Sequence, residues 1–141
     1  DRGEGVVKIT TGNPVPPVET HAAFRVVCNY SHMNFDDPII YPNQQGASHL
    51  HVYFGNTAVN FASTAASIAS VGNSTCSGGI ANRSAYWVPA VIDTRTGVPI
   101  APVENTVYYK AFGTNIEDVR PMPNGLRVVS LPRRASRWRA G

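Results

Sequence analysis

At 141 residues, with 43% apolar and 15% charged side chains, the chain has room for one domain with an ordinary core. No apolar run approaches the roughly 18 residues that a membrane-spanning helix needs, so no such span is expected. The formal charge of +3 conceals a division: residues 127–141 hold five arginines and no acid, which leaves seven basic against nine acidic residues elsewhere.

The body is therefore mildly acidic. It carries no basic–aromatic motif of the nucleic-acid-binding kind, no phosphate-cradling glycine loop and no G-x-S-x-G turn. The arginine-rich end is a candidate for binding an anionic polymer or for self-association through the C-terminal region. Solvated disorder is the plainer expectation for it.

Residues 1–20 read as an extended lead-in, with an edge-strand candidate at Val6–Thr10 and a proline-stiffened Asn13–Pro17. Residues 21–130 read as a single β-rich domain, and 131–141 as a disordered basic tail. Ala23–Cys28 alternates as a strand does, with Phe24, Val26 and Cys28 on one face. Asn34–Pro38 is a turn, because the residue before a proline is driven out of helix. Pro38–Pro42 reads as short and extended, and Asn43–Gly46 as a further turn.

Leu50–Phe54 is the best strand candidate. Leu50, Val52 and Phe54 would face one side, with His49, His51 and Tyr53 on the other. Residues 61–71 hold the one plausible helix, weakened by Ser and Thr and stopped by Gly72. Ser84–Ile92 is a strand interrupted by Pro89, hence an edge or a bulge. Asp93–Gly97 is a hairpin turn by composition. Val107–Phe112 is another strand, and Leu126–Val129 a candidate last one. Short strands between Gly, Pro and Asn turns predict a mostly β fold, an antiparallel sandwich or jelly roll with one short helix.

Two lone cysteines, Cys28 and Cys76, with only two lysines and many Ser, Thr, Asn and Gly, suit an extracellular protein with one disulfide. Two buried thiols in an intracellular protein are the alternative. A secreted chain of this sequence would already have lost its signal peptide.

Chemistry concentrates at Ser48-His49-Leu50-His51. Residues i and i+2 of a strand share a face, so two imidazoles would project side by side. Such a pair could hold one divalent transition metal, with His32 as a third ligand or Asp36 or Asp37 as a carboxylate. A cupin would carry an acid shortly after the second histidine, and residues 52–56 have none. A metal-free alternative uses His51 with a tyrosine as base and acid, and Arg83, Gln45 or Lys110 to neutralise a uronic carboxylate. A third reading has both histidines merely bonded to neighbouring turns. Tyr86-Trp87 could offer an aromatic platform to a sugar ring. Adjacent Asp36 and Asp37 suit a turn better than the two flanking acids of a glycosidase. The candidate catalytic set is thus His49, His51, Asp37, Tyr86, Arg83 and Lys110.

Several blocks, taken in order, resemble a known family. They are Phe24-Arg25-Val26-Val27-Cys28-Asn29-Tyr30-Ser31-His32, Phe35-Asp36-Asp37-Pro38, Ser48-His49-Leu50-His51 with Phe54-Gly55-Asn56, Ser74-Thr75-Cys76-Ser77-Gly78-Gly79, Asn82-Arg83-Ser84-Ala85-Tyr86-Trp87-Val88-Pro89-Ala90, and Tyr108-Tyr109-Lys110. The family is the secreted domain of unknown function nineteen ninety-six. The resemblance covers roughly residues 23–129 and implies an extracellular location and a link to cell-wall or other polysaccharide. It implies no particular reaction. Set against that family, the chain reads as C-terminally truncated. The functional expectation is a secreted, polysaccharide-associated domain with a His-x-His site, and the alternative is a non-catalytic metal- or glycan-binding protein or an assembly module.

Overall fold

The structure, a computed structural model, describes residues 23–111, 116–126 and 128. The expected lead-in and basic tail lie outside the described residues, as do Phe112 and two of the four residues of the expected Leu126–Val129 strand, Arg127 and Val129. The fold is mostly β and antiparallel. Its strands are β1 (Ala23–Asn34), β2 (His51–Gly55), β3 (Ala85–Pro89), β4 (Val91–Ile92), β5 (Pro99–Ile100) and β6 (Glu104–Lys110), with one short helix, α1 (Ala65–Ser70).

A four-stranded sheet runs in the order β3-β2-β1-β6, and β4 and β5 form a separate hairpin ribbon. The long β1 serves two partners. Its first half, Ala23–Asn29, pairs with β6, and its second half, Tyr30–Asn34, pairs with β2. Proline at position 89 fits the edge place of β3, where a missing N–H costs no ladder bond. The chain then continues into β4 and the Asp93–Gly97 turn, where Asp93 accepts from the N–H groups of Arg95, Thr96 and Gly97.

The register of β1 with β2 shifts between Tyr30 and His32. This bulge inserts one residue and reverses the facing of everything beyond it. Met33 therefore lies on the core face opposite Val52, and His32 lies opposite Tyr53.

The core is small and centred on a disulfide between Cys28 and Cys76. Val52 and Phe54 bury beside it, with Val26, Tyr30, Met33, Tyr86 and Ala90 packed around them. Gly55 makes this approach feasible. Its φ is +85°, and a Cβ there would stand 2.0 Å from the Ser84 carbonyl oxygen and 2.9 Å from Cys76 Sγ.

The sheet is curled. In a flat sheet β3 and β6 would be about 14 Å apart, and the levels of Tyr86 and Tyr109 would differ by a further ~20 Å along the strands. Yet the two hydroxyls meet at 2.6 Å. Tyr109 also stacks on Phe24, its neighbour on β1, at 4.7 Å between ring centroids. The core face is thus the concave one, and the outer strands meet across it.

The opposite face of β2, with His51 and Tyr53, is covered by loops rather than by a second sheet among the described residues. All five residues of β2 are buried as a result. Pro38–Pro42 is not extended, as its sequence suggests, but a turn. Asp37 Oδ1 accepts from the N–H groups of both Ile39 and Ile40, and its carbonyl accepts from Tyr41 N–H. These three bonds draw the backbone into a tight turn.

Helix α1 is shorter than the 61–71 expected. An Asx turn at Asn60, whose side chain accepts from Ala62 N–H, occupies its front end. Thr64 then caps it in a reciprocal box with Ser67. Its far end is held from outside, where Asn56 donates to the carbonyls of Ile68 and Val71.

Candidate functional site

Two places can carry chemistry. The first is the loop-covered face of β2. Asp36 and Asp37 are buried there, at 6% and 8% exposure. Neither carboxylate is free. Asp36 accepts from Gly46 N–H and Phe61 N–H, one on each oxygen. Asp37 accepts from Ile39 and Ile40 on one oxygen and from the Trp87 indole, at 3.4 Å, on the other. The Asp36 carbonyl in turn receives the Tyr53 hydroxyl and His51 Nδ1–H, the latter at 2.9 Å. Burial, with Asp36 and Asp37 adding negative charge, pushes the Tyr53 phenol well above its ordinary range.

His49 and His51 are brought together, with ring centroids 4.3 Å apart. His49 is exposed and His51 buried. His32 reaches the same face but does not join them. It stacks on Tyr53 at 4.7 Å, its Nε2 donates to the Val59 carbonyl at 2.9 Å, and its Nδ1 accepts from the Ser31 hydroxyl at 2.8 Å. Both ring nitrogens are thereby taken. Among the described residues no group of three or more His, Cys, Asp or Glu is arranged to hold a metal ion. A three-histidine centre is therefore not formed.

Arg83 is placed elsewhere. It donates through Nε to the Gly72 carbonyl and through Nη1 to that of Ala69, so its guanidinium closes the C-terminal end of α1. Lys110 is farther still. It pairs with Ala23 at the start of β1, whereas His51 pairs with Asn34 at its end. Eleven residue steps along β1 separate the two pairing positions. The Lys110 ammonium lies 5.6 Å from the centre of the Tyr108 ring. Arg83 is thus engaged at the helix end, and Lys110 pairs at the opposite end of β1 from His51.

The second place is a groove of about 610 Å³ that wraps the edge of β3. Tyr86, Trp87 and Tyr109 line it, together with Ser63, Thr64 and Ser84; Ile39 and Leu126 add apolar wall. No acid, histidine, lysine or arginine contributes to the lining among the described residues. Tyr86 and Tyr109 share a hydroxyl–hydroxyl bond there, and burial together with that bond pushes the Tyr109 phenol up to about 12. Trp87 is oriented by its bond to Asp37 and by the Tyr53 ring, 5.6 Å away. Tyr86-Trp87 was legible as an aromatic pair. Tyr109 as its third member was not, since its approach depends on the curl of the sheet.

Fold and site together define a disulfide-closed antiparallel β domain with an aromatic, hydroxyl-rich groove at a sheet edge. The family model described as Domain of unknown function (DUF1996) matches residues 37–135, and the chain belongs to that family. The matched segment starts at the Asp37 turn and takes in β2 to β6, the histidine pair and the groove-lining residues. No curated protein matches the chain, and no solved structure does.

Proposed function

We propose that this is a secreted domain that binds extracellular or cell-wall polysaccharide in the groove at the edge of β3, without cleaving it. The observation that carries the reading is the lining of that groove. Tyr86, Trp87 and Tyr109 offer ring faces, and Ser63, Thr64 and Ser84 offer hydroxyls. Sugar rings pair an apolar face with a rim of hydroxyls, so aromatic faces beside small polar groups complement them. The lack of any charged lining residue among those described favours a neutral glycan over a polyuronate.

The same chemistry speaks for binding rather than turnover. A glycosidase needs two carboxyl groups flanking the scissile bond. Asp36 and Asp37 are buried and bonded to backbone and indole N–H groups instead. A lyase needs a base beside its substrate, and among the described residues no histidine, lysine or carboxylate lines the groove. The Cys28–Cys76 disulfide suits an oxidising, extracellular compartment. No described helix is long and apolar enough to cross a membrane.

Affinity for neutral oligosaccharides and for polyuronates, measured by calorimetry and by pull-down on insoluble polysaccharide, tests the proposal. The expected result is neutral-glycan binding that Trp87→Ala and Tyr109→Ala each weaken about tenfold, with no release of soluble product. Unchanged binding in both variants while they stay folded, or appearance of cleaved product, would overturn it.

A further inference from the structure

Away from the groove, His49 and His51 stand at the start of β2 with their ring planes at 60° to one another. The hydrogen bonds of the His51 ring are made at Nδ1, to the Asp36 carbonyl at 2.9 Å and, more loosely, to Ser48 Oγ at 3.4 Å. A carbonyl oxygen only accepts, so Nδ1 carries the proton and Nε2 the lone pair. Among the described residues no fully buried side-chain nitrogen or oxygen lacks a partner. His51 Nε2 has none, so it reaches the surface although the residue is 4% exposed. The exposed imidazole of His49 lies beside the His51 ring, 4.3 Å between centroids, and its Nδ1 makes a long 3.5 Å approach to the Leu50 carbonyl.

We propose that His49 and His51 form an open, two-imidazole site for a late first-row divalent ion, Cu(II) above all and Zn(II) after it. A ligating histidine characteristically gives its other N–H to a carbonyl, which fixes the ring and raises its basicity; the Asp36 carbonyl does this for His51. Neutral imidazole selects Cu(II) and Zn(II) over Mg(II) and Ca(II), and affinity rises toward copper in the first-row series. His32 supplies no third ligand because both its nitrogens are engaged. The Asp36 and Asp37 carboxylates are committed to N–H donors. Water fills the remaining positions, which leaves the ion open to an exogenous ligand. This site is independent of the glycan groove.

Titration calorimetry of the whole chain with Cu(II), Zn(II) and Mg(II), paired with paramagnetic resonance of the copper form, tests it. The expected result is one equivalent of Cu(II) with two nitrogen couplings, weaker Zn(II) and no Mg(II). His49→Ala, a change at an exposed position, should weaken Cu(II) at least about tenfold with unchanged circular dichroism. His51→Ala should abolish binding but can disturb the loop over β2, so His49→Ala is the deciding variant. Absence of stoichiometric Cu(II), equal uptake of Mg(II), or a folded His49→Ala that binds Cu(II) as tightly as the parent would overturn the proposal.

Discussion

Adjacent acids illustrate how much one side chain can organise without doing chemistry. Asp36 ties three separate stretches of chain together. Its carboxylate takes N–H groups from the 46 and 61 loops, and its carbonyl takes His51 and Tyr53. Asp37 makes the next turn and aims Trp87. Gly55 has the opposite character and acts by what it lacks. With φ at +85° and the Ser84 oxygen 2.0 Å from where a Cβ would be, even alanine must displace backbone beside the disulfide. Strain and overpacking then act together. Gly55→Ala is expected to destabilise the fold by about 3 kcal/mol or more, as read from denaturant melts. A loss below ~1 kcal/mol would mean that β2 and the Ser84 segment can separate without cost.

Among the elements, β1 does most to set the architecture. One strand with two partners and a bulge between them turns a single ribbon of backbone into a curled sheet. The Cys28–Cys76 bond joins the middle of that strand to the loop after α1, and it closes a separation of 48 residues. Restricting an unfolded loop of that size stabilises the fold by about 4 kcal/mol in the chain-entropy picture. A Cys28→Ser/Cys76→Ser double variant should lose stability of that order, measured by chemical denaturation against the oxidised parent. Helix α1 depends on its surroundings instead. Six residues are too few to be stable alone, and Asn56 and Arg83 between them hold four carbonyls at its C-terminal end, those of Ile68, Ala69, Val71 and Gly72.

For the molecule as a whole, the telling contact is the one between its outermost strands. The Tyr86–Tyr109 bond spans the concave face and needs at least one phenol protonated. In the folded chain Tyr109 is raised to about 12 from an unfolded value near 10, and Tyr53 is raised as well. Between those pH values the unfolded chain has released protons that the folded chain still holds. Stability therefore falls as pH rises through that window, and it is fully present below pH ~10. Ultraviolet titration of the phenols should show a fraction ionising late, together with loss of fold above about pH 10. Tyr109→Phe should remove part of the late fraction. If every tyrosine titrated near 10 while the chain stayed folded, the closure across the sheet would not exist in solution.

Alternation, turn residues and cysteine usage by themselves determined the mostly β antiparallel character, strands within 23–28, 50–54 and 84–92, the stop at Gly72, an edge or bulge at Pro89 and the shared facing of His51 and Tyr53. These are local properties, because the strand period and the conformational limits of glycine and proline act within a few residues. The pairing of Cys28 with Cys76 was legible too, there being no other cysteine in the chain. The tertiary structure alone decided which side chains meet. One extra residue at the β1 bulge carried His32 from the core face to the face of Tyr53. Arg83 was drawn to the end of α1, and Lys110 was held a strand's length away from His51. The curl of the sheet set Tyr109 against Tyr86. Such placements depend on register and curvature summed over whole strands, to which a periodic pattern of apolar residues is blind.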